Sequence, residues 1–334
     1  LTASVISIQA ALLYTNSKGE RRIRVHNMAM PVQSILSKIF ESVRVDALTN
    51  VLGKQALEVS IKMGLDSARA RLQQACVEIV RSTQAGGRQF PQQQQQAMQL
   101  PEAIQLVPLY TMALQKNICF RGGTELRPDE RAFYMALLAN MPVSHSRQFI
   151  YPQLFSLHDM PADAGLPVGK QPNGKPAEEG SGGDGNTTSI KLPPVLNLSA
   201  ERLSSEGLFM LEDSVQLCIW VGRQCNPQLV QSLFGTPQLD NLDLSSLLST
   251  AYACSSLCLR APPLVVLPRV DAIIQSLRST RNTHLRIMVV GEADGQNEHR
   301  FFWHLVEDRA TFPGGSMSYS EFMQNVHRQS FGGI

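Results

Sequence analysis

Three observations predict a multidomain α+β fold. Period-two alternation with a basic returning strand at the head of the chain predicts a β-hairpin. Apolar stripes of helical period between residues 32 and 147 predict an all-α layer. A second hairpin and a mixed α/β pattern follow a stretch rich in proline and glycine. With 334 residues, 43% of them apolar, the chain has material for two or three such units.

The head, Gln9 to Asn27, alternates apolar and β-branched residues up to Thr15. Asn16, Ser17, Lys18 and Gly19 supply turn chemistry, with Gly19 free to take positive φ. The returning strand sets Arg22, Arg24 and His26 on one face and Ile23 and Val25 on the other. Two strands alone are barely stable, so the pattern demands more sheet, placed upstream of Leu1.

Pro31 is expected to open a helical region. Val32, Ile35, Leu36, Ile39, Phe40 and Val43 share one face of a first helix, and Leu48, Val51, Leu52, Ala56 and Val59 of a second. Gly64 and Asp66 mark the break before a third stripe from Leu65 to Val80, which ends near Gly86-Gly87. The glutamine run Gln92 to Gln96 reads as a solvated insertion. Pro101 opens the next helix, and Pro108 kinks or restarts it. Another begins at Pro128 and is expected to bury Phe133, Tyr134, Leu137, Leu138 and Met141 before Pro142 stops it. Gln148 to Met160 reads as extended chain.

Residues 161–191 read as a flexible insertion with little to bury. Gly207 to Val221 reads as the second hairpin, with Glu212, Asp213 and Ser214 in its turn. Asn226 caps a short helix that begins at Pro227 and ends at Gly235. Val270, Ile273, Ile274 and Leu277 mark a longer helix, and Leu285–Val290 and Phe301–Val306 two more strands. Ser318 and Glu321 form a capping box that opens a C-terminal helix over 318–330.

Net charge is +2, so bulk electrostatics do not mark a nucleic-acid binder, and any basic site is local. The longest apolar run, Leu264 to Leu267, is far too short to span a bilayer. The six cysteines include no CxxC pair and read as reduced thiols of a cytosolic protein. Glycine-rich phosphate loops, GxSxG and HExxH are all missing from the sequence. Cys254 and Cys258 share a helical face, with only distant His284 to join them as a zinc ligand.

Three features remain as candidate sites. Arg21, Arg22 and Arg24 either form a solvated sheet face or meet acidic lipid headgroups and acidic peptide. Phe301, Phe302 and Trp303 either pack in a core or line an apolar peptide groove, with Phe301 and Trp303 the groove residues. Glu212 and Asp213 are a meagre start for a calcium shell.

Six segments carry a resemblance in the right order over nearly the whole sequence. They are QAALLYTNSKGERRIRVHN (9–27), LPEAIQLVPLYTMALQKN (100–117), FIYPQLFSLHDM (149–160), LSAERLSSEGLFMLEDSVQLCIWVG (198–222), LVEDR (305–309) and MSYSEFMQNVHRQ (317–329). Together they resemble the cargo-adaptor subunit of the COPII vesicle inner coat, the Sec-twenty-four family, in its C-terminal portion. The resemblance implies the last strands of a β-sandwich over 1–31, a helical domain over 32–147 and a gelsolin-like domain over 148–334.

It further implies a non-enzymatic adaptor that captures cytosolic export signals of cargo and SNARE proteins on endoplasmic-reticulum membrane. Its implied partners are the GTPase-activating subunit of the coat and the coat's small GTPase, with peripheral membrane contact and no nucleic acid. No cofactor is expected within these residues, and zinc is expected in an upstream module. The alternatives are a gelsolin/villin-type actin-binding protein and the GTPase-activating paralogue of the same coat.

Overall fold

Strands β1 (Val5–Thr15) and β2 (Arg21–Pro31) pair antiparallel from Val5 opposite Pro31 to Thr15 opposite Arg21. The computed structural model describes residues 4–85, 100–168, 189–235, 237, 266–281 and 285–331. The turn is built by Asn16, whose Oδ1 accepts from the amides of Lys18 at 3.0 Å and Glu20 at 2.9 Å. Gly19 takes φ +81°, as the turn requires. Both faces of the ribbon are exposed, with Leu12 at 59% and Ile23 at 68%. Pro31 therefore ends a strand and does not open a helix. Its missing N–H is tolerated at this position because a strand end need not donate.

The helical layer follows as α1 (Leu36–Glu41), α2 (Val45–Met63), α3 (Leu65–Ala85), α4 (Val107–Lys116), α5 (Pro128–Asn140) and α6 (Val143–Ile150). Gly64 separates α2 from α3 as expected. Pro101 precedes a single 3₁₀ turn, Glu102–Ile104, and Pro108 then restarts the helical path as α4. Of the expected apolar face of α5, only Leu138 is fully buried, and Phe133 is 56% exposed. The last three residues of helix α6, Gln148 to Ile150, fall where extended chain was expected, whereas Gln153–Ser156 is extended as expected. Pro142 stops α5 and at once serves as the N-cap of α6, so the proline marks a boundary between two helices.

The second unit is a five-stranded sheet. Its strands are β3 (Gln153–Ser156), β4 (Val195–Leu196), β5 (Leu208–Glu212), β6 (Gln216–Val221) and β7 (Arg286–Gly291), in the order β4-β3-β5-β6-β7. Pairing is antiparallel except between β6 and β7. That parallel pair needs a crossover, and α7 (Pro227–Phe234) and α8 (Val266–Ser279) lie within it. The Asn226 cap and the Gly235 stop of α7 are both as expected.

Strict alternation assigns the two sheet faces. Phe155, Leu208, Met210, Leu217, Ile219 and Val221 pack with Leu229 and Val230 of α7 and Val270, Ile273 and Leu277 of α8. Leu154, Phe209, Leu211, Cys218, Trp220 and Val290 point the other way. They join Ala113 and Leu114 of α4, Phe120, and Phe149 and Ile150 of α6 in one continuous core. The helical layer is thus the cover of the second sheet face.

Two expectations are corrected here. Phe301–Val306 is not a strand: Gly295–Phe302 forms helix α9, with Trp303 at its C-cap. The aromatic run has high strand propensity, but Phe301 is needed as a lid on Trp220, where the rings stack at 6.4 Å. The stem of the 161–191 insertion is docked, not free. Pro167 bridges Ile190, and Arg269 donates to the carbonyls of Ala164, at 2.6 Å, and Pro161. A Cβ on Gly165 would lie 2.9 Å from the Arg269 Cα, so glycine alone permits this approach. The glutamine run, residues 169–188, Cys254, Cys258 and His284 lie outside the described residues.

The last helix, α10 (Tyr319–Phe331), opens on the expected capping box, with the Ser318 amide donating to Glu321 Oε2 at 2.8 Å. It packs Phe322 and Val326 against Cys76 and Val80 of α3 and Met112 of α4. The chain therefore returns to the helical layer after completing the sheet. Lys116, 2% exposed at the end of α4, holds this return in place. Its ammonium donates to the carbonyls of Val306 at 2.8 Å, Asp308 at 2.5 Å and Met317 at 2.7 Å. Lys116→Met leaves these carbonyls without their donor and is expected to cost about 3 kcal/mol in urea unfolding. A loss below about 0.5 kcal/mol would show that the cage carries no stability.

Candidate functional site

The helical layer and the sheet enclose a cavity of about 370 Å³ where α5, the β5–β6 turn and the end of α9 converge. Arg121, Tyr134, Asp213, Arg300, Trp303 and His304 border it. A neighbouring cavity of about 280 Å³ shares Arg121 and Trp303 and reaches Lys116 and Phe312.

Arg121 is the central group. It follows the buried Cys119 and Phe120 and is itself 1% exposed. Its guanidinium lies between two aromatic rings, 4.2 Å from the centroid of Trp303 and 3.6 Å from that of Phe312. One nitrogen, Nη2, donates to the Trp303 carbonyl at 3.3 Å. Burial pushes its pKa down to about 9, still well above neutrality, so the group is a cation at pH 7. The rest of the lining is more fully engaged. Arg300 holds Glu130 through two bonds of 2.8 and 3.1 Å. Asp213 Oδ1 accepts from the amides of Val215 at 2.8 Å and Gln216 at 2.7 Å. Its Oδ2 lies 3.8 Å from His304 Nε2.

The segment 303–309 fixes the floor of the site. Glu307 Oε1 accepts from the Tyr151 hydroxyl at 2.5 Å and the Leu198 amide at 3.0 Å. Asp308 accepts from the Ser199 hydroxyl and the Ala200 amide, each at 2.7 Å. Burial and the bond to Glu307 both push the Tyr151 phenol upward. The hairpin turn is tied in separately. Glu212 pairs with the buried Arg281, which also donates to Ser214 Oγ and Gln148 Oε1, each at 2.9 Å. Burial pushes the Glu212 carboxyl up to about 7 against the pull of Arg281 and the Ser214 amide.

The sequence-predicted site residues separate into two places. Arg21, Arg22 and Arg24 are exposed on the hairpin, Arg22 bonded to Glu20 at 2.5 Å and Arg24 lying 5.7 Å from the Tyr14 ring centroid. Trp303 borders the cavity, while Phe301, 1% exposed, is a core residue whose surface only backs its wall. The Glu212–Asp213 pair is occupied by Arg281 and by turn amides. Among the described residues no cluster of three His, Cys, Asp or Glu side chains has metal-site geometry. His158 is held by Ser156 and by the Leu208 backbone, and is structural.

Arg121, Lys116, Glu307 and Asp308 were not legible as site residues. An arginine before a glycine pair reads as a solvated loop residue. Lys116, Glu307 and Asp308 do fall inside the segments 100–117 and 305–309 that carry the resemblance; beside Arg121 stands only Gly122, where in the structure a Cβ would lie 2.9 Å from Pro313.

The chain resembles known proteins along most of its length. Models of the Sec23/Sec24 beta-sandwich domain, the Sec23/Sec24 helical domain and the gelsolin repeat match residues 1–33, 44–148 and 189–252. Protein transport protein SEC24 of Coccidioides immitis is 36% identical over 72% of this chain and 24% of its own length. Sec24B of Homo sapiens is 31% identical over 98% of this chain and 23% of its own length, and Sec24A of Mus musculus 30% over 97% and 27%. The crystal structure of the human COPII-coat protein Sec24c superposes with a TM-score of 0.74 at 26% identity, covering 97% of this chain and 38% of that one. The chain spans about a quarter of the length of these relatives.

Burial lowers the pKa of His304, outweighing the opposite pull of Asp213. An unfolded histidine takes its proton near pH 6.5, before the folded one does, so the unfolded state binds more protons between the two values. The His304 contribution to folding stability therefore rises with pH through that window and is lost on acidification below about 6.5, while the raised Glu212 carboxyl acts in the opposite sense between 4.5 and about 7. The difference in urea midpoint between the protein and His304→Asn should shrink from pH 7.5 to 5.5 and so show this loss. An unchanged difference would assign the loss to another group.

Proposed function

The chain belongs to the Sec24 family, and from that premise we propose that it serves in a COPII coat subunit that selects cargo for transport from the endoplasmic reticulum to the Golgi. The observation that carries this reading is the cavity between the helical layer and the sheet. It presents an aromatic ring and a buried cation to a short segment of peptide. Its size suits two or three side chains of an extended peptide and lies within the usual range for ligand pockets. Export signals in cytosolic tails are the proposed occupants, among them those of SNARE proteins. Capture is non-covalent and weak per site, and many copies on one membrane make it effective.

The hairpin arginines are the proposed membrane-facing group. Arg22 and Arg24 share the exposed face that carries Tyr14 and Leu12. Such a ribbon meets anionic headgroups peripherally, in keeping with the fact that no described helix is long and apolar enough to cross a membrane. The proposed partners are the GTPase-activating subunit of the coat and its small GTPase. Zinc belongs to this proposal only through an upstream module. An actin-binding role draws on the gelsolin-repeat match alone. The helical-domain match over 44–148 points to the coat family instead.

Two measurements test the proposal. Trp303→Ala is expected to weaken retention of the protein on immobilised cytosolic-tail peptides by about tenfold. Charge reversal at Arg22 and Arg24 is expected to weaken sedimentation with phosphatidylcholine–phosphatidylserine vesicles by about tenfold, and more at low salt. If every tail and every vesicle binds the variants as before, both site assignments fail.

A further inference from the structure

Strand β7 ends the sheet and pairs with β6 alone among the described residues. Just beyond it, the Glu292 amide donates to the Val221 carbonyl at 2.8 Å. Main-chain groups alternate in direction along a strand, so Val290, Met288 and Arg286 turn theirs toward β6. The N–H and C=O groups of Ile287 and Val289 therefore point out from the sheet edge. Among the described residues neither has a main-chain partner on that side. The register runs unbroken from Arg286 to Gly291, so no bulge bends the edge away. Ile287, Met288, Val289 and Val290 form an apolar run without lysine or proline, the residues that commonly blunt such an edge. The strand also forms one wall of the cavity. Arg286, Met288 and Val290 all border it, with Gln216 and Cys218 of β6 beside them. The cavity therefore follows the edge strand over most of its length.

We propose that β7 is a strand-addition edge, on which an extended peptide pairs with Ile287 and Val289 and sets alternate apolar side chains over the cavity. The proposal rests on the peptide-capture reading above and supplies its geometry. In an antiparallel pair, the residue opposite Val289 exchanges two bonds with it, and the residue opposite Ile287 does the same. The main chain then holds the peptide whatever its sequence. Paired residues on neighbouring strands point to the same face. Peptide residues opposite Met288 and Val290 therefore face the helical layer and the cavity, and the apolar character of those two side chains selects apolar partners. A second copy of the chain fits the edge less well. Self-pairing centred on Val289 sets Arg286 against Glu292, whose carboxylate is already held by the Ser205 hydroxyl and the Arg223 amide, each at 2.8 Å.

The test is a titration of the intact protein with acetyl-Val-Thr-Val-Thr-Val amide, followed by calorimetry and by hydrogen exchange at the Ile287 and Val289 amides. The valines are placed to face the cavity, and the threonines to bond with Ile287 and Val289. The peptide is expected to slow exchange at both amides. N-methylation of both threonine nitrogens is expected to weaken binding by at least about tenfold. N-methylation of the central valine, whose N–H points away from β7, is expected to leave the affinity within about twofold. Val289→Pro removes one outward donor and is expected to abolish the slowing at Ile287, and the methylated series on the unaltered protein stands even if that variant misfolds. Equal binding of all three peptides, or equal loss from the two methylations, overturns strand addition and leaves peptide capture intact. Binding without slowed exchange at Ile287 and Val289 does the same. Slow exchange at both amides before any peptide is added shows an edge already held and overturns the proposal too, a dependence on protein concentration identifying a second copy as the holder. If no peptide binds, strand addition falls, and the Trp303→Ala measurement decides peptide capture separately.

Discussion

A buried ammonium needs acceptors, and Lys116 finds three of them on a segment almost two hundred residues away. That requirement organises the second half of the molecule. The carbonyls of Val306, Asp308 and Met317 converge only when the backbone leaves α9, turns at 303–309 and folds back toward α3 and α4. The neighbouring residues reinforce the same path. Glu307 ties the turn to Tyr151 and Leu198, and Asp308 ties it to Ser199 and Ala200. Arg309 and Glu321 then fix the start of α10. A lysine buried without such partners is costly, so the cage and the fold of this segment stand together.

One consequence is that the α/β unit is not self-contained. A sheet with apolar residues on both faces needs two covers. One is made within the unit by α7 and α8, and the other is the helical layer itself. The cavity lies on this seam. Arg121 comes from the helical side, while Trp303 and His304 come from the segment that Lys116 pins. The site is thus a product of docking two units, and its geometry follows the rigidity of the seam. Pockets are common at such junctions because two convex surfaces seldom close completely.

Much of the fold could be read from the sequence where local chemistry and tertiary demand agree. The turn of the first hairpin, the break at Gly64, the Asn226 cap with its Gly235 stop, and the Ser318 capping box all appear where residues act on their own neighbours. Failures arise where a distant partner decides. Phe301 is helical because Trp220 needs a lid, and α6 forms where its Phe149 and Ile150 can enter the shared core. The stem of the insertion docks because Arg269, on another helix, reaches its carbonyls. The site divides in the same way. Trp303 was visible as an aromatic in a run of aromatics. Arg121 and Lys116 were not, because an arginine or lysine that ends buried carries no mark in its own sequence neighbourhood.

The helical layer and the sheet form one cooperative body whose seam builds the site. Both tryptophans of the protein, Trp220 and Trp303, lie in the α/β part, whereas the described helical signal is dominated by α2 and α3. Urea unfolding followed in parallel by tryptophan fluorescence and by far-ultraviolet circular dichroism separates the two units. Coincident transitions are expected, with one midpoint and one slope from both probes. Two separated transitions, with fluorescence lost while the helices persist, would contradict the account.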